Sequence, residues 1–302
     1  MGGLSAAQLV LHDLSIWALP FFFAAAGYFH AAGAAPGGRP GAWLGRRVIR
    51  LAVPFLAFTV LYRAWELRHF HQRYSWLGLR HDLIYGTASA HLWFLPVLIS
   101  CSVIVWLVER TDSRRARVGL LAAAVGAAVT FVVVSAFAPS GVSYAYYLYR
   151  TPLYWLVFYL LGWGFARRRN EESPRRASAL LPGFALGVGA ACLAASRLPG
   201  PQQVVALYFV GAGLAGLAVA ALALRRPGPR PGRLVGALAG AALGFYLLHF
   251  FVLDLFLTYV PLSAWRYGTA LYEMAVFAMV TIVTAGIVVT ARAWPPARWV
   301  LG

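Results

Sequence analysis

Apolar positions along this chain gather into long runs separated by short, arginine-rich connections. Runs of about 17–25 apolar residues are long enough to cross a bilayer as helices. Such runs lie near 13–32, 48–67, 90–108, 118–138, 150–166, 179–196, 203–224, 234–260 and 269–291. The pattern predicts an all-α fold, a polytopic transmembrane bundle of about nine helices, because a segment in lipid must satisfy its own backbone polar groups. Pro20, Pro54 and Pro96 fall within these runs or near their ends. Neighbouring helices re-satisfy the groups that proline frees. Neither an internal repeat nor a second domain is visible, so residues 1–302 read as one integral-membrane domain.

Composition agrees with the pattern. Hydrophobic residues make up 61% of the 302 positions and charged residues 12%, against about 25% charged in soluble domains. The mean hydropathy is +0.70. All 26 basic residues are arginine and the formal charge is +17. In a membrane chain, arginine serves first as a topology signal and as a partner for anionic headgroups of the bilayer. No nucleic-acid module accompanies the charge, and no nucleic-acid partner is expected. Cys101 and Cys192 both lie in apolar runs, which argues against a disulfide framework or a metal-binding spacing.

The arginines also give the bundle a direction. One set of connections and the C-terminal tail carries 19 of them, at 39, 46, 47, 50, 110, 114, 115, 117, 167–169, 175, 176, 225, 226, 230, 233, 292 and 298. The other side carries 7, at 63, 68, 73, 80, 150, 197 and 266. The excess marks the cytoplasm, which predicts a multi-pass protein of the cell membrane with a cytoplasmic C-terminus. Nine spans then leave the N-terminus outside, after a short segment with no basic leader. One more helix upstream would restore an ordinary topology. The expectation is therefore that "HDLSIWALPFFFAAAGYFH", residues 12–30, is a second helix of an N-terminally incomplete domain.

Polar residues then sort by side. His12, Asp13, Glu66, His69, His71, His81, Asp82, His91 and Glu273 fall at or beyond the outer helix ends, Asp254 in the outer half of its helix, and His249 near mid-membrane. Ionisable groups at membrane depth are costly and often mark a site. In "LGFYLLHFFVLDL" (243–255), His249 is either a buried histidine satisfied by a neighbouring helix or part of a site. His249 and Asp254 are five residues apart, about 140° around a straight helix, so they do not form a dyad. In "AHLWFLPVLI" (90–99), His91 is an interfacial anchor or a base for a hydroxyl, and Trp93 suits an aromatic belt. In "GRRVIRLAVPF" (45–55), Arg47 and Arg50 share a helix face. They are positive-inside anchors, or a clamp for the pyrophosphate and 3′-phosphate of coenzyme A. The absence of GxSxG, HExxH, P-loop and Rossmann patterns leaves a soluble-type hydrolase, protease or ATPase unsupported.

Taken in order, these stretches resemble the membrane-bound acyltransferase 3 family, and within it the O-acetyltransferases that modify cell-envelope polysaccharides. "LHDLSIWALPFFFAAAGYF" is similar to that family's second helix, "GRRVIRLAVPF" to its RxxR element, "AHLWFLPVLI" to its y-H-L-W-F-L motif, "TPLYWLVFYLLGWGFARRR" to its Y-x-x-F-Y-L-L-G helix and "LGFYLLHFFVLDL" to its Y-L-I-H-p-l-V-L-d helix. The resemblance spans essentially the whole chain. It implies a core of ten helices, acyl-CoA (acetyl-CoA by likeness) as a cytoplasmic donor substrate with no bound cofactor, and an extracytoplasmic glycan or lipid-linked hydroxyl as acceptor. Arg47 and Arg50 match the RxxR arginines that handle acyl-CoA. His91 and His249 match recurring histidines and are the candidate catalytic residues, while Glu66, Trp93 and Asp254 are candidates on the acceptor side. The family's own catalytic histidine lies on its first helix, which the matched stretch does not include. His12 aligns just before the second-helix pattern, and Ala26 stands where the family has serine. A truncated, inactive homologue and a glycolipid carrier without covalent chemistry remain as alternatives.

Overall fold

The computed structural model describes residues 17–33, 40–70, 74–111, 113–137, 147–171, 180–196, 203–225, 233–259 and 270–301. Among these, the helices are α1 (Ala18–Gly33), α2 (Pro40–Phe70), α3 (Trp76–Tyr85), α4 (Phe94–Arg110), α5 (Arg114–Phe137), α6 (Pro152–Glu171), α7 (Leu180–Ala195), α8 (Gln203–Arg225), α9 (Arg233–Tyr259), α10 (Ala270–Ala291) and α11 (Pro295–Leu301). Nine of these coincide with the nine apolar runs, so the chain is all-α and polytopic. Segments Gly41–His69, Arg114–Ala136, Leu207–Leu224, Ala241–Tyr259 and Tyr272–Ala291 are long and apolar enough to span a bilayer, while Ala18–Ala32 and Pro182–Leu193 are shorter apolar helices. His12 and Asp13, and with them the start of the 12–30 stretch, lie outside the described residues.

The two short helices, α3 and α11, are additions to the predicted set. Ser75 caps α3 by accepting from the Gly78 amide at 3.1 Å. Gly86 ends it in the left-handed conformation (φ 60°), its amide donating to the Asp82 carbonyl at 2.9 Å. Ten residues with this cap pair are too short to register as a span.

The helices form two compact units. One takes residues 47–96 and the described part of 228–302. Its core joins Phe55, Phe58 and Tyr62 of α2 to Ala88, Leu92 and Leu95 of the 86–95 segment, with Leu247 of α9 and Leu301 of α11. The other takes the described part of 13–46 and 97–227. Here α1 packs directly on α6: Phe23 stacks on Trp155 with ring centroids 4.9 Å apart. A Cβ at Gly27 would overlap the Tyr159 carbonyl, and one at Gly162 the Ala24 carbonyl. Close backbone approach through small residues is how helices pack in lipid, where apolar side chains gain little by leaving the surrounding tails. Both cysteines are free thiols.

Candidate active site

In the first unit, α2, α9 and the segment between α3 and α4 bring the histidines of two motifs together. The imidazoles of His91 and His249 have centroids 5.2 Å apart. His91 is 7% exposed, stacked on Phe250 at 4.8 Å and edge-on to Tyr246 and Tyr62. Its Nε2 lies 3.3 Å from the Leu247 carbonyl. A carbonyl only accepts, so Nε2 carries the proton and Nδ1 is the acceptor. The group at Nδ1 is the Ser89 hydroxyl, at 3.1 Å. The Tyr62 hydroxyl donates to the same Leu247 carbonyl at 3.1 Å, and its oxygen is a second acceptor for the Ser89 hydroxyl, whose single proton rotates between Tyr62 and His91 Nδ1. Tyr246 donates to the His91 carbonyl and so fixes the backbone under the ring. For His249 the same reasoning runs the other way. Its Nδ1 faces the Phe245 carbonyl at 3.1 Å, leaving Nε2 as the proton acceptor.

The segment carrying His91 is held from below by Asp82, which has no exposed surface. Its carboxylate accepts from Arg63 Nε (2.6 Å) and Nη2 (2.5 Å), from Tyr74 (2.6 Å) and from Thr87 (2.6 Å). Burial pushes the carboxyl pKa up, but the hydrogen bonds from Arg63, Thr87 and Tyr74 outweigh it and hold Asp82 below the usual range. The Tyr74 phenol is pushed up to about 12 by burial and by Asp82 beside it. Gly86 completes the turn, since a Cβ there would run into the Trp93 backbone.

The other predicted residues are spread over α2, the 86–95 segment and α9. Glu66 pairs with Arg63 one turn away on α2. Trp93, at 5% exposed, is packed inside rather than displayed at a surface. Asp254 is half-buried, its backbone carbonyl accepting from Thr258 at 2.7 Å. On α2, Arg47 is half-buried and Arg50 exposed. Arg47 precedes Tyr62 by ~22 Å along the helix and sits within about 60° of it around the axis.

A second polar cluster lies in the other unit, and the sequence reading passed over it. His30 of α1 is fully buried. Its Nδ1 meets the Tyr159 hydroxyl at 2.7 Å, and Tyr159 meets Ser102 at 3.1 Å. On the other edge, His30 Nε2 lies 3.3 Å from Glu109 Oε2, though without the alignment of a hydrogen bond. Glu109 accepts from Trp163 at 2.8 Å and from Arg167 at 3.3 Å, and Arg167 stacks on Trp163. Attention to groups on one side of the predicted bundle hid this cluster. The available signal was an ionisable residue, His30, inside an apolar run. An apolar cavity of about 400 Å³ between α5, α6 and α8 offers no charged side chain for chemistry. Among the described residues, no group of His, Cys, Asp and Glu is arranged to hold a metal.

An all-α membrane chain with this histidine pair, and with arginines on the helix that lines it, agrees with a family comparison. The family model described as an acyltransferase domain (acyltransferase 3) matches residues 2–291. The chain belongs to the acyltransferase 3 family. No curated protein and no solved structure gives a significant match. Membership makes the protein a membrane acyltransferase in the general sense; of the motifs that suggested it, two supply His91 and His249, and a third supplies Tyr159, Trp163 and Arg167 of the second cluster. Gly27 and Gly162, from two of these acyltransferase 3 motifs, are the residues at the α1–α6 crossing.

Proposed function

We propose that this protein moves an acyl group, acetyl by family likeness, from acyl-CoA to a hydroxyl of a cell-envelope glycan or lipid-linked sugar. The observation that carries this reading is the placement of donor and reaction groups on one helix. Arg47 and Arg50 lie near the start of α2, and Tyr62, which touches the His91 cluster, lies three to four turns further on. Phosphates held at the arginines would leave the pantetheine arm free to run along α2, delivering the thioester towards the histidines. The bidentate geometry of guanidinium suits phosphate oxygens. Orientation follows from the arginine excess: the donor end of α2 faces the cytoplasm and the His91 end faces outward.

In this scheme the thioester supplies the driving force, and the protein supplies positioning and proton removal. His249, with Nε2 as its accepting nitrogen, is the base placed to take a proton from the incoming hydroxyl. Glu66, Asp254 and Arg63 provide polar partners for the sugar.

The test is a transfer assay in native membranes with radiolabelled acetyl-CoA. Arg47→Ala and Arg50→Ala raise the donor KM by about tenfold each, the loss of one charge-assisted hydrogen bond, with the acceptor KM unchanged. An unaltered donor KM removes both arginines from donor binding. A carrier that performs no covalent chemistry transfers no label at all.

A further inference from the structure

The His91 cluster contains a hydroxyl that the scheme above leaves idle. Ser89 Oγ is 3.1 Å from His91 Nδ1, and His91 Nε2 is held at 3.3 Å by the Leu247 carbonyl. These three groups meet the general test for an activated nucleophile: hydroxyl, base within hydrogen-bond reach, and a third group orienting the base. Because the carbonyl fixes the proton on Nε2, Nδ1 presents its lone pair to the serine, the tautomer that proton abstraction requires. Ser89 is half-buried and His91 nearly fully so, which keeps bulk water from competing for the intermediate. The backbone that carries both residues is tied down at Thr87 by Asp82, at Gly86 by its left-handed turn and at His91 by Tyr246. That degree of fixing exceeds what an interfacial anchor needs.

We propose that Ser89 is the residue that first accepts the acyl group, with His91 as its base, so that transfer passes through an acyl-Ser89 ester. The proposal rests on the acyl-CoA transferase reading given above. In the first step, Ser89 gives its proton to His91 Nδ1 and Oγ attacks the thioester carbonyl. A C–O bond forms, the C–S bond breaks, and the departing thiolate takes the proton from Nδ1 to leave as the thiol of coenzyme A. In the second step the acceptor hydroxyl attacks the acyl-Ser89 carbonyl. In this covalent route His91, in place of His249, takes its proton and returns it to Ser89 Oγ, and the acyl ester of the acceptor is released. No electron changes hands and both protons are accounted for. A covalent stage also separates the two half-reactions in time: the donor can leave before the acceptor arrives. That ordering suits substrates approaching from opposite ends of α2.

The full chain, purified in lipid nanodiscs, is incubated with radiolabelled acetyl-CoA without acceptor, quenched in acid and mapped by peptide mass spectrometry. An acetyl group on the peptide containing Ser89 is expected. It is absent from Ser89→Ala and forms about a hundredfold more slowly in His91→Gln, the loss typical of a missing general base. Ser89→Cys keeps the geometry and carries the label as a thioester, released by neutral hydroxylamine, a signature that a merely structural serine would not give. In parallel, each variant is tested for transfer of label to isolated cell envelopes. Transfer by wild type with no label on Ser89, or undiminished transfer by Ser89→Ala, overturns the acyl-serine step while leaving the transferase reading intact. Absence of both protein label and envelope label in wild type overturns the transferase reading, and this proposal with it.

Discussion

Asp82 is fully buried, yet each of its hydrogen-bond partners is a donor, with Arg63 supplying the compensating charge. Its carboxyl is held below the usual range, so the ionised form is favoured by folding. The stabilisation is complete above the pKa of an exposed aspartate, near 4, and is lost as pH falls through the lower value of the folded state. Asp82→Asn removes the charge but keeps the shape, leaving Arg63 without its main partner. A loss on the order of 3 kcal/mol is expected at neutral pH, read as a lower thermal midpoint in detergent. The difference between variant and wild type should shrink below pH 4, and a constant difference down to acid pH would show that Asp82 does not act through its charge. Because Thr87 and Ser89 are close in the same segment, Asp82→Asn should also depress the rate of acyl transfer more than it alters donor KM.

At the scale of helices, the α1–α6 crossing explains two glycines that the sequence reading treated only as motif letters. Gly27 and Gly162 sit where each helix meets the other's backbone carbonyl, and no side-chain rotation can relieve an added Cβ. Gly162→Ala should cost at least 1–3 kcal/mol, the usual range for overpacking, and should lower the thermal midpoint more than Gly164→Ala, where a Cβ meets nothing within 4 Å. Equal midpoints for the two variants would mean the crossing is looser than drawn. The nine helices that coincide with the apolar runs were legible in the sequence because an apolar run of that length has few other outcomes. Helices α3 and α11 were not, since their formation depends on caps and on packing under α9, where Leu301 lies against Gly244. The site was legible in part. His91 and His249 were visible as polar residues in apolar runs, but the sequence could not show that 5.2 Å separates their rings. Ser89 was invisible because a serine before a helix looks like any other loop residue. Only the distance to Nδ1 distinguishes it. His30 lay in an apolar run whose partner carboxylate, Glu109, belongs to another helix.

For the molecule as a whole, the notable property is that both units are assembled from segments far apart in the chain. Residues 47–96 pair with the last part of the chain, and the helix α1 pairs with segments within 97–227. His30 waits for Tyr159, 129 residues later. Chains are made at roughly 5–20 residues per second, which sets the interval on the order of ten seconds. For the first part of that interval α1 has an imidazole with neither its carboxylate, Glu109, nor its phenol, and for the rest it still lacks Tyr159 and the helix that its glycine face fits. Lipid tails can satisfy neither. Biosynthesis therefore requires a temporary host for α1, most simply the insertion machinery itself. Ribosome-arrested chains that stop before Tyr159 should keep α1 cross-linkable to that machinery, and chains that extend past Arg167 should release it. Release at the same length in a Tyr159→Leu chain would mean that the handover depends on the glycine faces rather than on the polar pair.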